Sequence, residues 1–270
     1  ELGSLLLQIL RSPNVASKEW IVRRYDHEVQ GTSVIKPFVG VRRDGPSDAA
    51  VIAPVYGSAK GVALANGLNP RYGLLDPAAL AESSIDEAMR NIVAVGGAPD
   101  RTAILDNYCW GNCDKPDRLG SLVRASEAAR DLAIAYETPF ISGKDSLNNE
   151  YRVGGESIPI PPTFLVSAIS IIDDVSICTT MDLKQAGNAL VLVGFTRDEL
   201  GGSHLHLVRN VSLGRRPPRV DASLGKAALR GVARAIREGI VRSCHDLSEG
   251  GLAVAAAEMA FAGGLGATID

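Results

Sequence analysis

Two polar stretches, DNYCWGNCDKPD at residues 106–117 and SGKDSLNNE at residues 142–150, flank a segment with helical periodicity. Apolar residues recur at helical spacing through residues 119–136, which predicts one long helix. That helix would return the chain so that both polar stretches meet at one edge of a sheet. The stretch therefore favours an α+β domain with a polar site at one sheet edge.

The second stretch carries groups that suit a phosphate site. Gly143 lets backbone N–H groups approach a phosphate before Lys144, while Asp145 and Ser146 can position a metal or a hydroxyl-rich substrate. The pattern is not a P-loop, because Lys144 is followed by aspartate and no glycine lies at the required distance upstream. Gly, Asp, Ser and Asn are also ordinary turn residues, so a solvated strand-to-loop turn is the alternative.

Composition and charge narrow the class of protein. The chain has 270 residues, of which 46% are hydrophobic, so it can bury a sizeable core and is long enough for two domains. The net charge of −3 and the pI near 5.9 give no electrostatic footprint for nucleic acid. No apolar run reaches the roughly 20 residues needed to cross a bilayer. We therefore expect a cytoplasmic protein without nucleic-acid or membrane partners.

Hydrophobic periodicity predicts two groups of strands and helices, separated near residues 181–187. In the first group, strands are expected at residues 49–55, 61–65, 102–105, 140–141 and 163–172, and helices at residues 16–25, 77–95 and 119–136. Residues 163–172 are apolar on both faces, so that strand should be central in its sheet. In the second group, strands are expected at residues 189–193 and 240–243, and helices at residues 223–238 and 252–261.

Two further places have ligand-like spacing. Glu87 and Asn91 are four residues apart on one expected helix, so they can offer adjacent oxygens to one cation; the alternative is an exposed polar pair. Asp246 and Ser248 lie between an expected strand end and a helix start, where free N–H groups favour a phosphate. Ser248 and Glu249 acting simply as a capping pair is the alternative there.

Three residues of chemically useful types lack partners in the sequence. Cys109 and Cys113 form C-x3-C, but no second Cys or His pair lies at finger-like spacing, so we expect reduced, metal-free thiols. His27 is expected to be structural. The chain lacks an initiator Met and stops in a strand-like run at residues 266–270, which suggests a piece of a longer protein.

Seven segments, in chain order, carry a resemblance to a known family: SPNVASKEWIVRRYDHEVQGTSVIKP, SDAAVIAP, DEAMRNIVAVGG, DNYCWGN, SGKDSLNNE, ELGGS and HDLSEGGLAVAAAEMAFAG. They resemble phosphoribosylformylglycinamidine synthase over nearly the whole chain. That family is built from two copies of an α+β domain pair shared with aminoimidazole ribonucleotide synthetase, and this chain is similar to the second copy. The resemblance implies a mixed or antiparallel sheet with flanking helices, a nucleotide-binding N-terminal-type domain at residues 1–182 and a truncated C-terminal-type domain at residues 183–270.

The resemblance also implies roles for residues of the catalytic site. Asp106 and Gly143 match positions that contact the catalytic ATP, and Ser146 matches a substrate contact. Lys144 falls where the smaller family members have a magnesium-binding Asn. A protonated lysine cannot ligate Mg²⁺, so Lys144 is expected to neutralise phosphate charge directly. Cys109 and Cys113 replace the Asn and Pro that are more common in the family.

A second nucleotide site is implied by the larger, single-chain members. Magnesium ligands of that site correspond to Asp48, Glu87, Asn91 and Asp246, and further nucleotide contacts correspond to Ser47 and Ser248. The family's catalytic His lies in the first copy, so no catalytic residue is assigned to this chain and His27 does not inherit that role.

The activity implied by the resemblance is an ATP- and Mg²⁺-dependent C–N ligase of purine biosynthesis. It converts formylglycinamide ribonucleotide to formylglycinamidine ribonucleotide with glutamine-derived ammonia. The expected partners are that substrate, the first half of the synthase and a glutamine amidotransferase, and the isolated chain is expected to be inactive. One alternative is a nucleotide-binding structural module without turnover. Another is a different ATP-dependent enzyme of the same fold, such as aminoimidazole ribonucleotide synthetase, although its N-terminal glycine-rich ATP loop is absent here.

Overall fold

The computed structural model describes residues 1–269, which contain eight α-helices and ten strands. The helices are α1 (Leu2–Leu10), α2 (Glu19–Val22), α3 (Pro70–Gly73), α4 (Pro77–Ala94), α5 (Pro116–Tyr136), α6 (His204–Val208), α7 (Ala222–Arg237) and α8 (Gly251–Gly263). The strands are β1 (Ser33–Ile35), β2 (Phe38–Val39), β3 (Gly45–Pro46), β4 (Ala50–Ile52), β5 (Gly61–Leu68), β6 (Thr102–Cys109), β7 (Phe140–Ser146), β8 (Glu150–Val153), β9 (Glu156–Pro159) and β10 (Thr163–Ile172).

Six strands form the main sheet, in the order β1-β4-β5-β10-β6-β7. β6 and β7 are parallel and are connected by α5, whereas the other neighbours in this sheet are antiparallel. β2 with β3 and β8 with β9 form two small antiparallel pairs. The expected α+β fold with a mixed sheet is confirmed, and so is the central position of β10.

On one face of the sheet α4 packs on β5 and β10, and α5 packs on α4 and borders a cleft lined by residues of β6 and β7. α4 is buried along nearly its whole length because β5 and β10 lie on one side of it and α5 and α7 on others. Gly67 permits the close approach of α4 to β5, since a Cβ there would lie 1.9 Å from the carbonyl oxygen of Ser84. Leu80, Ile85 and Ile92 of α4 are fully buried, and each contributes about 1.5–3 kcal/mol by leaving water.

The other face of the sheet is only partly covered. Along β10, Phe164, Val166 and Ala168 are buried, while the residues between them are half-buried and Ile171 is 38% exposed. The strand is central as expected, but its two apolar faces are not equally buried. Burial alternates because the helices described in residues 1–269 cover one side of this strand.

The first part of the chain differs from expectation at several element ends. The helix expected at residues 16–25 is reduced to the single turn α2, whose Trp20 and Ile21 are exposed, so no tertiary packing stabilises a longer helix. β6 and β7 are both longer than the strands expected from their apolar residues. Their parallel ladder continues to Cys109 and Ser146, so backbone hydrogen bonds extend both strands into polar segments.

The second part of the chain forms helices but not the expected strands. α7 and α8 confirm the helices expected at residues 223–238 and 252–261. Residues 189–193 and 240–243 have no regular structure and pair with no strand within residues 1–269. Val191 and Ile240 are 74% and 70% exposed, so their apolar patterns lack both a ladder and a core. Among the described helices none is long and apolar enough to cross a membrane.

Candidate nucleotide and metal sites

Side chains of α4 hydrogen-bond to the edge of β5 beyond its ladder with β4. β4 pairs with β5 only as far as Leu64, so the backbone groups of Asn66 and Leu68 on that side have no strand to bond. Asn91 Nδ2 donates to the Asn66 carbonyl at 3.0 Å, and the Leu68 N–H donates to Glu87 Oε2 at 2.8 Å. Glu87 and Asn91 thereby hold α4 against β5.

Glu87 and Asn91 retain capacity for a further ligand. They are 7% and 8% exposed, so the alternative of an exposed polar pair is wrong. Within residues 1–269, the buried Oδ1 of Asn91 has no hydrogen-bond partner, which costs free energy unless a cation or donor meets it. Burial raises the pKa of Glu87 to about 8, and the carboxylates of Asp246 and Glu249 add to this shift.

Asp48 is fixed by the segment that precedes α8. Its Oδ1 accepts from the Asp246 backbone N–H at 2.9 Å and from His245 Nδ1 at 2.7 Å. The other ring nitrogen of His245 meets Glu258 Oε2 of α8 at 3.0 Å. Burial alone would lower the pKa of His245, but the bonds to Asp48 and Glu258 outweigh it and raise the pKa to about 10. Both ring nitrogens then donate, so His245 orients Asp48 and has no lone pair for a metal.

Asp246 links this segment to α4. One ligand atom each from Asp48, His245 and Asp246 lie within 4.8 Å of one another. Burial raises the pKa of Asp246, against the attraction of Arg90. Arg90, which lies between Glu87 and Asn91 on α4, is 3.5 Å from Asp246, so the two aspartates and the Glu87–Asn91 turn of α4 are neighbours and form one cluster.

The cluster contains its own cations. Carboxylates gathered in one place repel one another unless positive charge compensates them. Arg90 pairs with Asp86 and lies 3.5 Å from Asp246, while protonated His245 lies between Asp48 and Glu258. The carboxylates are thus partly compensated by protein charges, and repulsion by itself is no argument for a metal. The donor set still fits Mg²⁺, which prefers hard oxygens, and the unpartnered Asn91 Oδ1 is the observation that favours a ligand.

The two serines assigned to this site lie at its rim. Ser47 donates its hydroxyl to the Ala49 carbonyl at 2.8 Å, and Ser248 Oγ lies 3.5 Å from Asp246 Oδ1. α8 begins after Gly250, which is its N-cap in a left-handed conformation, and no side chain caps it. The alternative in which Ser248 and Glu249 cap this helix is therefore wrong.

The second candidate site lies on β6 and β7. Asp106 and Gly143 are paired across the parallel ladder, and a Cβ on Gly143 would lie 2.2 Å from Asp106 Oδ1. A larger residue there would displace the Asp106 carboxylate, which lies over this backbone. Burial raises the pKa of Asp106, and the neighbouring Asp145 adds to the effect. Asp106 also lines a cleft of about 650 Å³ between α5 and these strands, with Tyr108 and Phe140 among its apolar walls.

Lys144 and Ser146 lie on the other face of β7. Their side chains contact each other, two residues apart on an exposed strand at the sheet edge. Side chains alternate along a strand, so these two point away from Gly143 and Asp145. The four residues assigned to the catalytic site therefore form two pairs, one on each side of the edge strand, instead of one continuous wall.

The two candidate sites are close neighbours across the sheet. Val166 of β10 pairs with Gly67 of β5 on one side and with Asp106 of β6 on the other. Two strand spacings separate the backbones at Gly67 and Asp106, which is about 9.5 Å. α4 and α5 lie above this short span, so one helical layer carries or borders both sites.

Several residues of the sites were not found by sequence reasoning. His245, Glu258 and Arg90 come together only through tertiary structure. His245 is the direct neighbour of Asp246 in HDLSEGG, which could have marked it as part of the site. The i,i+4 spacing of Asp86 and Arg90 could likewise have predicted their ion pair. Cys109 and Cys113 are free and half-buried, and whether they stay metal-free remains a prediction.

The architecture is that of aminoimidazole ribonucleotide synthase-like α+β proteins. A solved structure titled "T. maritima PurL complexed with FGAR" matches 97% of this chain and 39% of its own, with a TM-score of 0.64 and 15% sequence identity. At that identity the match shows the fold.

Sequence comparison gives the particular family. Residues 17–171, more than half of the chain, match the family described as FGAR-AT PurM_N-like domain, and the chain belongs to it. Residues 185–270 match AIR synthase related protein, C-terminal domain.

Curated relatives agree with the resemblance to phosphoribosylformylglycinamidine synthase and confirm it. The chain is 39% identical over 276 residues to phosphoribosylformylglycinamidine synthase subunit PurL of Deinococcus radiodurans and 41% identical over 275 residues to that of Alkaliphilus metalliredigens. All of this chain is covered in both comparisons. The chain spans 36% and 35% of the length of those two relatives.

Proposed function

We propose that this chain binds a magnesium–nucleotide complex between α4 and the segment that precedes α8. Asp48, Glu87, Asn91 and Asp246 would hold Mg²⁺, and Ser47 and Ser248 would contact the nucleotide. Bound there, Mg²⁺ would supply positive charge that offsets the charge of the phosphate groups. The protein's part is to fix the oxygens: Glu87 and Asn91 through the β5 edge, and Asp48 through His245.

The observation that carries this proposal is the unpartnered Oδ1 of Asn91. Its amide nitrogen is already bonded to the β5 edge, and its oxygen is buried without a donor in the described residues, one helical turn after Glu87 on α4. Carboxylate and amide oxygens on neighbouring turns suit a hard cation that keeps some waters.

On β6 and β7 the chain would contribute part of a catalytic ATP site. Asp106 and Gly143 would contact ATP in the cleft beside α5, and Ser146 would contact the substrate. Lys144 would neutralise phosphate charge from the other face of the edge strand, since an ammonium cannot ligate Mg²⁺. The split of these residues over two faces supports a site that a second domain completes.

The whole protein would then be a cytoplasmic, ATP-dependent ligase that forms formylglycinamidine ribonucleotide, as the names of the curated relatives indicate. Formylglycinamide ribonucleotide would be its substrate, and ATP and Mg²⁺ would supply phosphoryl transfer, which needs positioned cations more than covalent participation by the protein. The first half of the synthase and a glutamine amidotransferase would be its partners. Residues 1–182 would form the N-terminal-type domain and residues 183–270 part of the C-terminal-type domain.

A nucleotide-binding module without turnover is the second candidate for the chain taken alone. The open catalytic half-site favours it, because Lys144 and Ser146 project from an exposed sheet edge. An assay of ADP formation from ATP with formylglycinamide ribonucleotide and ammonia, with and without the first half of the synthase, separates the two. We expect no product from the purified chain alone, and product formation by it would contradict this.

The nucleotide site itself is tested by binding. The purified chain is denatured and examined by mass spectrometry for released ADP, and the nucleotide-free chain is then titrated with ADP in the presence and absence of MgCl₂. Magnesium-dependent binding is expected. An absence of binding, with the fold intact, would refute the site.

A further inference from the structure

Arg90 of α4 is anchored at one end by a buried pair. One guanidinium nitrogen bonds Asp86 Oδ2 one helical turn earlier, and the other oxygen of Asp86 accepts the hydroxyl of Tyr136 from α5 at 2.5 Å. The Asp86 side chain is 12% exposed. Burial raises the pKa of Tyr136, so the phenol remains a neutral donor. Tyr136 and Asp86 thus fix where the guanidinium lies.

The other end of Arg90 is loosely held. Its second terminal nitrogen lies 3.5 Å from Asp246 Oδ2 and 3.4 Å from the Leu247 carbonyl, beyond the roughly 2.7–2.9 Å of a strong charge-assisted hydrogen bond. Its Nε is buried and has no partner within residues 1–269. The long contacts and the unpartnered Nε leave the guanidinium with donor capacity beside the carboxylates of the cluster.

A nucleoside diphosphate carries more negative charge than one Mg²⁺ cancels. It would enter a cluster that already holds several carboxylates. Of the two cations that touch Asp48 or Asp246 in the described residues, His245 has both ring nitrogens bonded to carboxylates. Arg90 is the one with donors to spare, and a guanidinium matches phosphate oxygens with two parallel bonds.

We propose that Arg90 binds the phosphate groups of the nucleotide, and that Asp86 and Tyr136 are positioning residues that aim it. This inference rests on the magnesium–nucleotide site proposed above. Without ligand, the guanidinium partly compensates Asp246. With nucleotide bound, the Nε and the loosely held terminal nitrogen of Arg90 would bond phosphate oxygens while its first nitrogen stays on Asp86.

The test is calorimetric titration of the whole 270-residue chain with ADP and with adenosine, both with MgCl₂. Arg90→Lys keeps the positive charge but cannot form two parallel hydrogen bonds, and Arg90→Met loses both the charge and the hydrogen bonds. We expect ADP affinity to fall by about tenfold in Arg90→Lys and further in Arg90→Met, with adenosine binding unchanged. Arg101→Lys is the matched control, because Arg101 pairs with Asp173 on the surface, away from the cluster.

Tyr136→Phe tests the positioning role. It removes the hydroxyl from Asp86 without touching Arg90, and it should lower ADP affinity by a few-fold while adenosine binding stays the same. Thermal unfolding reports whether each variant is folded, and Arg90→Lys keeps the test decisive if Arg90→Met unfolds. Folded Arg90 variants that bind ADP like the wild type, or that lose ADP and adenosine equally, would overturn the inference but leave the nucleotide site standing. A wild-type chain that binds no Mg-ADP would overturn both.

Discussion

Glu87→Gln separates a metal-binding role from a structural one. The Glu87 carboxylate receives two hydrogen bonds at Oε2, from the Leu68 N–H and from Asn69 Nδ2, each at 2.8 Å. The carbonyl oxygen of glutamine can accept both, so we expect the free energy of unfolding to fall by about 1 kcal/mol or less. Mg-ADP affinity should fall by at least about tenfold, because the metal loses an anionic oxygen.

Glu87→Ala is the comparison that calibrates the structural part. It removes both bonds and leaves the part-buried Leu68 N–H without its acceptor, which costs up to about 1–3 kcal/mol for that group. Urea unfolding of the three proteins should therefore rank wild type, Glu87→Gln and Glu87→Ala in falling stability, with the larger step at alanine.

Calorimetric titration with Mg-ADP supplies the second measurement, on this chain and on the full-length protein. If wild type and Glu87→Gln showed equal affinity and equal magnesium dependence, the metal assignment would fail. If Glu87→Ala were as stable as Glu87→Gln, the role of Glu87 at the β5 edge would fail instead.

Three further predictions concern other parts of the molecule. Gly143→Ala should lower stability by about 1–3 kcal/mol, less in an Asp106→Ala background, since the new methyl meets the Asp106 carboxylate; equal losses by urea unfolding would contradict this. Hydrogen bonds from a lysine and a threonine outweigh burial and lower the pKa of Asp182. Ionised Asp182 therefore stabilises the fold above the ordinary aspartate pKa, and this stabilisation is lost as the pH falls through the pKa of the folded state. In Asp182→Asn the free energy of unfolding should depend less on pH below about pH 4. Burial raises the pKa of Cys244 to about 12, so iodoacetamide at pH 8 should label it more slowly than Cys109. Equal labelling rates would contradict the raised pKa of Cys244.

The local parts of the fold were predictable because their causes are local. Proline at the first turn and Gly96 after the last turn mark the ends of α4, and periodicity marks its buried face. The spacing of Glu87 and Asn91 placed both on one face for the same reason. What spacing cannot show is that the β4–β5 ladder extends only to the Ala50–Leu64 pair, which leaves backbone groups of β5 free for these two side chains to bond.

The parts that were missed depend on contacts between distant segments. Asp106 lies over Gly143 because a parallel register pairs them, and no local pattern reports a register. His245 is a cation because Asp48 and Glu258 arrive from two other elements. The strands predicted at residues 189–193 and 240–243 are absent from the described residues for the same reason. An apolar pattern forms a strand only where another strand pairs with it.

Unpaired strand edges attract other chains, and the end of β5 would be such an edge without α4. Asn91 occupies the Asn66 carbonyl and Glu87 occupies the Leu68 N–H, so two proposed ligands also keep that edge from pairing with a neighbouring molecule. Substitutions that remove both hydrogen bonds, such as Glu87→Ala combined with Asn91→Leu, therefore expose a template for self-association. Loss of binding in such a protein would have to be measured at concentrations where it is still monomeric.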